Sequence, residues 1–255
     1  MPDKITVREL AKAFPVRGGS LAVLDGLDLA VADREFVAVV GPSGCGKTTL
    51  LNIVAGFERP DRGEVRIDGV PVSGPSPKGI VISQQGSVFP WLSVRRNVTF
   101  GLNDFPEEER RRLADHYLAM VGLQGFENAY PSELSGGMLK RLEVARALIV
   151  RPEILYMDEP FASLDALTRF RMRIELLRIL SREWHTCLLV THDVEEAVHL
   201  AERIVVLSDR PAKIQAVVNV PLPHPRQLSS PAAIDLKEYI LRELGVEAVA
   251  ARIAP

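Results

Sequence analysis

The chain has 255 residues, 47% of them hydrophobic and 25% charged, with a net charge of −2. That length buries one large core or two small lobes, and the near-neutral balance excludes a globally basic binder of nucleic acid or anionic membrane. Two cysteines, Cys45 and Cys187, make no disulfide framework and fit a reducing compartment, while no run approaches the roughly 18 apolar residues of a spanning helix.

The charged start MPDKITVREL lacks the apolar stretch of a signal peptide, so a membrane role is expected to run through a partner. KITVREL and AVLDGLDLAV read as short strands, and EFVAVV as a buried one. TTLLNIVAGF can carry a helix with Leu50, Leu51 and Val54 on one side. GEVRIDGVPV contains an Asp68-Gly69 hairpin signal. KGIVISQ, PEILYMDE, TCLLVTHD and RIVVLSD are further brief apolar runs ending in polar residues. Helical patterns separate the later ones, which predicts a mainly parallel sheet with functional residues at its carboxyl edge. PEEERRRLADHYLAMVGL begins with Pro106 near a helix start and sets Leu113, Tyr117 and Met120 in a stripe. Glu107–Arg111 and Glu108–Arg112 are expected as i,i+4 pairs on its solvated face. The tail from Asp209, with Pro211, Pro221, Pro223, Pro225 and Pro231, reads as an irregular connection before a last helix, AAIDLKEYILREL.

VVGPSGCGKTTLL places Gly41, Gly44 and Gly46 within six residues, followed by Lys47, Thr48 and Thr49. Glycine costs backbone entropy and packs nothing, so three together indicate a backbone that closely approaches a ligand. The spacing G-x-x-x-x-G-K-T fits a phosphate cradle, formed by main-chain N–H groups and the positive end of the following helix. Lys47 then neutralises β- and γ-phosphate oxygens, and the Thr48 hydroxyl ligates Mg²⁺. A plain Gly-rich turn explains the glycines but not Lys-Thr at this offset. ILYMDEP ends an apolar strand on two carboxylates, Asp158 for Mg²⁺ and Glu159 to polarise the attacking water. In LSGGM, Ser135 can cap the helix MLKRLEVARALIV, and Gly136 and Gly137 let its exposed amides approach a second face of a phosphate.

GPSGCGKTT, SQQ, LSGGM, ILYMDEP, SLD and THD stand in the order and spacing found in the ATP-binding cassettes of ABC transporters, and the chain resembles that family over roughly residues 4 to 208. The resemblance implies an α/β fold: a P-loop NTPase core of RecA-like type, with an N-terminal antiparallel β subdomain and a helical insertion subdomain. The expected layout is one ATPase domain over 1–255. Residues 1–88 and 151–208 form the core and β subdomain, 89–150 the helical subdomain and 209–255 a C-terminal extension. It further implies a head-to-tail homodimer with two ATPs, each between one subunit's phosphate loop (Gly41, Pro42, Ser43, Gly44, Cys45, Gly46, Lys47, Thr48, Thr49) and the other's Ser135, Gly136 and Gly137. Gln84, six residues before Pro90 and so preferred to Gln85, matches the lid glutamine that senses Mg²⁺ and the membrane subunit. Asp165 matches a residue acting across the interface, His192 one that reaches the γ-phosphate, and Phe14 an aromatic stacking on adenine.

Two departures stand out: Met138 where the signature usually has Gln, and Ser83 where the lid glutamine usually follows Phe. FPWLSV, LSGGM, DEPF, LDALTR and PLPHPR look like the importer subgroup for nitrate, sulfonates and taurine. That subgroup implies two copies of this subunit on the cytoplasmic face of the membrane, two integral membrane permease subunits and an extracytoplasmic substrate-binding protein, with no nucleic acid involved. Phe89 and Trp91 are then expected to help receive a membrane-subunit helix. A non-transport ABC ATPase is the alternative, although no coiled-coil insertion or second cassette is seen. A GTPase would need an N-K-x-D guanine reader, absent here, and a kinase would not need LSGGM.

Overall fold

The computed structural model describes residues 3–84, 86–183 and 185–246. Gln85 and residues 247–255 of the expected extension lie outside them. The described residues fall into two compact units, one reaching to Ser76 and resuming at Thr186, the other Pro77–His185. Among the described residues no helix is long and apolar enough to cross a membrane.

The first unit opens with a long antiparallel hairpin, β1 (Asp3–Val16) and β2 (Gly19–Ala32). β1 also pairs with β4 (Arg62–Ile67), which turns into the short β5 (Val70–Pro71). The strand order is β2-β1-β4-β5. The expected turn forms: Asp68 and Gly69 both have positive φ, 52° and 76°, as a two-residue type I′ connection requires. Both hairpin strands run longer than the sequence patterns indicated, because register shifts along β1 and β2 let irregular stretches stay paired.

β3 (Phe36–Val40) is buried along its whole length. It lies between two parallel neighbours, β8 (Thr186–Thr191) and β9 (Arg203–Leu207). α1 (Lys47–Val54) follows β3 and α6 (Val194–Leu200) follows β8. The tail is less irregular than its prolines indicated. β10 (Ile214–Asn219) pairs antiparallel with β9, since Pro211 and Pro221 flank this strand instead of interrupting it. The last helix, α7 (Pro231–Glu243), is capped by Ser230. Ahead of it, buried Arg226 donates to the carbonyls of Val198 and Ala201 at 2.8 and 2.7 Å, covering the free carbonyl end of α6.

In the second unit, β6 (Gly79–Ile82) and β7 (Ile154–Asp158) are a parallel pair. Its helices are α2 (Val94–Val98), α3 (Glu107–Met120), α4 (Gly136–Leu148) and α5 (Ala166–Leu180). α3 buries the expected Leu113, Tyr117 and Met120. On its polar face the ion pair that forms is Arg112–Glu109, three residues apart at 3.9 Å, in place of the expected i,i+4 pattern.

Candidate nucleotide site

Within the first unit, the phosphate-loop sequence leaves the carboxyl end of β3 and enters α1. Val40 is paired with Thr191 of β8, so Gly41 and His192 emerge side by side at one sheet edge. His192 is exposed there. The loop is tight. A Cβ at Gly41 would lie 2.8 Å from Cys45 Sγ and 3.2 Å from Leu207 Cβ. Gly46, the N-cap of α1, has φ 118°, and a Cβ there would lie 2.7 Å from Val23 Cγ1. Lys47 is only 5% exposed, and its Nζ donates to the carbonyls of Gly41 and Pro42 at 2.8 and 2.9 Å. Its ammonium is thereby held across the loop that carries the backbone amides. Arg210 comes close to Gly44, its Nη2 3.7 Å from where a Cβ would sit, an added cation that no motif signalled.

Phe14 is half-buried on β1, opposite Leu21 of β2 and two residues of register from Val23. Lys12 Nζ lies 5.1 Å from its ring centroid. The aromatic is neither sealed in the core nor isolated, and one side of its ring is already engaged by a cation.

Cys45 lies within the loop sequence, yet its side chain is 1% exposed and turned under Gly41. Burial pushes its thiol up, against the lowering effect of Lys47. Cys187 is buried in β8 and its thiol is likewise pushed up by burial. Only the thiolate reacts. Neither cysteine should therefore label with a maleimide in the folded protein within the time that labels both in denaturant. Rapid labelling of Cys45 in the native state, read by peptide mass spectrometry, would contradict this placement.

In the second unit, β6 and β7 end side by side, with Ile82 paired to Met157. Gln84 and the carboxylates Asp158 and Glu159 follow at that edge. Gln84 is exposed, whereas Asp158 and Glu159 are half-buried. Glu159 has φ 44°, a left-handed backbone that a non-glycine residue rarely adopts. Such strain collects where surrounding structure holds a side chain to a task.

The same unit brings Ser135, Gly136 and Gly137 together with Asp165. Ser135 caps α4, its Oγ accepting from Met138 N at 3.3 Å. Asp165 caps α5, accepting from the amides of Leu167 and Thr168 at 3.1 and 3.0 Å. Hydrogen bonds from Thr168 hold its carboxyl below the usual range. The two helix starts open on one cavity of about 420 Å³, lined also by Arg141 and Arg171. Two arginines, a hydroxyl and two helix N-termini make this cleft suited to an anion. The arginines were not singled out from the sequence. Their spacing from the capping residues, six positions on in each helix, is the signal that could have found them.

A model of the family described as ABC transporter matches residues 24–162. An uncharacterised ABC transporter ATP-binding protein of Methanocaldococcus jannaschii is 46% identical over 246 residues, 96% of this chain and 92% of that one. An aliphatic sulfonates import ATP-binding protein of Bacillus cereus is 38% identical over 239 residues, 94% of this chain and 95% of that one. Among solved structures, the dimeric structure of MJ0796, a bacterial ABC transporter cassette, matches with a TM-score of 0.74 at 30% identity, covering 85% of this chain and 98% of that one. The family match and these relatives show that the chain belongs to the ABC transporter family as an ATP-binding, ATP-hydrolysing cassette.

Proposed function

We propose that this cassette powers the import of a small solute, such as nitrate, a sulfonate or taurine, through two partner membrane subunits fed by an extracytoplasmic binding protein. The observation that carries the transport reading is an aromatic ledge beside the signature helix. Phe89 packs in tilted contacts with Phe100 and Trp91 at centroid distances of 4.4 and 5.5 Å, and Arg146 lies 4.1 Å over the Phe89 ring. Trp91 nevertheless remains 71% exposed and Phe100 48%. Large aromatics left in water mark a surface for a partner, here a membrane-subunit helix. The relative named for sulfonate import supports the solute class.

In this reading Lys47 and the amides of Gly41–Thr49 hold the ATP phosphates, and Phe14 stacks on adenine. Thr48, Gln84 and Asp158 offer only oxygen donors, the set that Mg²⁺ takes alongside substrate phosphates. When bound, that ion offsets charge on the β- and γ-phosphate oxygens. Glu159 accepts the proton of the attacking water at its carboxylate. His192 orients the γ-phosphate. Ser135, Gly136 and Gly137 of a second copy contact that phosphate, and Asp165 works across the interface of the homodimer.

The test is co-expression with the membrane subunits of a small-solute importer. The cassette should co-purify with a permease on the cytoplasmic side of the membrane, and Trp91→Ala should weaken that association while isolated ATPase activity stays within about threefold. A cassette that hydrolyses ATP but never co-purifies with a membrane subunit would overturn the transport reading.

A further inference from the structure

We propose that Lys140 and Glu143 are positioning residues that clamp the Gln84 loop to the helix bearing the signature motif. The inference rests on the reading of Gln84 above and assigns how that residue is held. Ser135, Gly136 and Gly137 start α4, and Lys140 and Glu143 follow one turn apart on one face. They form an ion pair at 2.6 Å with side chains 5% and 6% exposed. A buried ion pair is poorly explained by stability alone, because apolar residues of similar volume do as well or better. These two groups have additional partners. Lys140 Nζ donates to Ser83 O at 3.2 Å, and Glu143 Oε1 accepts from Ser87 N at 3.1 Å. Between them Gly86 takes a positive φ of 76°, and a Cβ there would lie 2.7 Å from Glu143 Oε1.

The cation thus holds a carbonyl at one end of the loop and the carboxylate holds an amide at the other. Gln84 lies between these two points. Arg146, one turn further along α4, donates to Ser87 O, and buried Asn97 accepts from Phe89 N at 2.8 Å. The loop therefore stays in register with α4 at its base while Gln84 remains exposed. An α4 seated on phosphate and a Gln84 amide poised for its ligand are fixed by the same pair of charges.

The double variant K140M/E143L tests this, because apolar replacement of both charges preserves folding while deleting both grips. Its Tm should equal or exceed that of the wild type. Exchange of the Ser87 amide, followed by NMR, should speed up about tenfold or more as local opening becomes easier. The kcat for ATP hydrolysis should fall about tenfold with KM within about twofold, the split expected when an interaction made in the transition state is lost. A folded double variant that keeps both Ser87 protection and kcat overturns the clamp. Gln84→Ala is the reference: if it leaves kcat unchanged, the role of Gln84 fails, and the clamp is then judged on Ser87 protection alone. Should the double variant not fold, Glu143→Gln and Glu143→Ala replace it. Glutamine keeps the Oε1 acceptor, so Ser87 protection should survive in the first and be lost in the second. Equal protection in both overturns the proposal.

Discussion

Replacing Lys47 with alanine should weaken ATP binding by about 10²–10³-fold, the equivalent of about 3–4 kcal/mol. The size follows from where the ammonium sits. Charge-assisted hydrogen bonds are the strong ones, and they strengthen further in a place that water reaches poorly. Lys47 is 5% exposed and already anchored on the carbonyls of Gly41 and Pro42. Moving from two neutral carbonyls onto anionic phosphate oxygens therefore costs it little desolvation. No other side chain in the loop carries charge, since Ser43 and Cys45 are neutral and Cys45 is turned inward. Arg210, whose Nη2 would lie 3.7 Å from a Cβ on Gly44, is a further cation next to the loop and comes from outside its sequence. Titration with a fluorescent ATP analogue decides the point. Unchanged affinity in a folded Lys47→Ala protein would remove the residue from the site.

The tight glycine turn between β3 and α1 was readable because its requirements are local. Glycines, lysine and threonine must stand at fixed offsets for one backbone turn to face an anion, so sequence spacing and spatial arrangement coincide. The same holds for the Asp68-Gly69 turn and for Ser135, whose cap is written in the residues beside it. The strands β3 and β8 were readable from apolar runs without alternation, which suit burial on both faces. β10 was not, because its alternating IQAVVN belongs to an edge strand set among prolines, and proline abundance outweighed a weak period-two signal. Nor does spacing disclose which way a side chain in a loop turns. Cys45 sits between Gly44 and Gly46, and its side chain packs under Gly41. Lys140 and Glu143 show the same limit at longer range. In the sequence they look like an ordinary charged i,i+3 pair on a solvated helix face. Their burial and their grip on Ser83 and Ser87 depend on residues more than fifty positions away.

Glu159→Gln should lower the rate of ATP hydrolysis by about 10²–10⁴-fold, the usual loss when a positioned general base is removed. The amide matches the carboxylate in size but cannot accept the water's proton. The backbone at Glu159, with φ 44°, is equally strained with either side chain, so the fold should tolerate the change and Tm should hardly move. ATP binding should survive, because Lys47, Thr48 and Asp158 are untouched. Removing one negative charge near the γ-phosphate should, if anything, tighten it. Two ATPs held between copies and left uncleaved should then trap a dimer. The variant is accordingly expected to sediment as a monomer without nucleotide and as a dimer in saturating ATP, but not in ADP. Adding Ser135→Arg should abolish that dimer. Ser135 opens onto the cleft shared with Gly137 and Asp165, and an arginine there would fill the space a phosphate needs and remove the α4 cap. A Glu159→Gln protein that hydrolyses ATP at the wild-type rate would take the role of base away from Glu159. One that loses hydrolysis, binds ATP and yet stays monomeric at high protein concentration would leave the base in place and contradict the two-sided site.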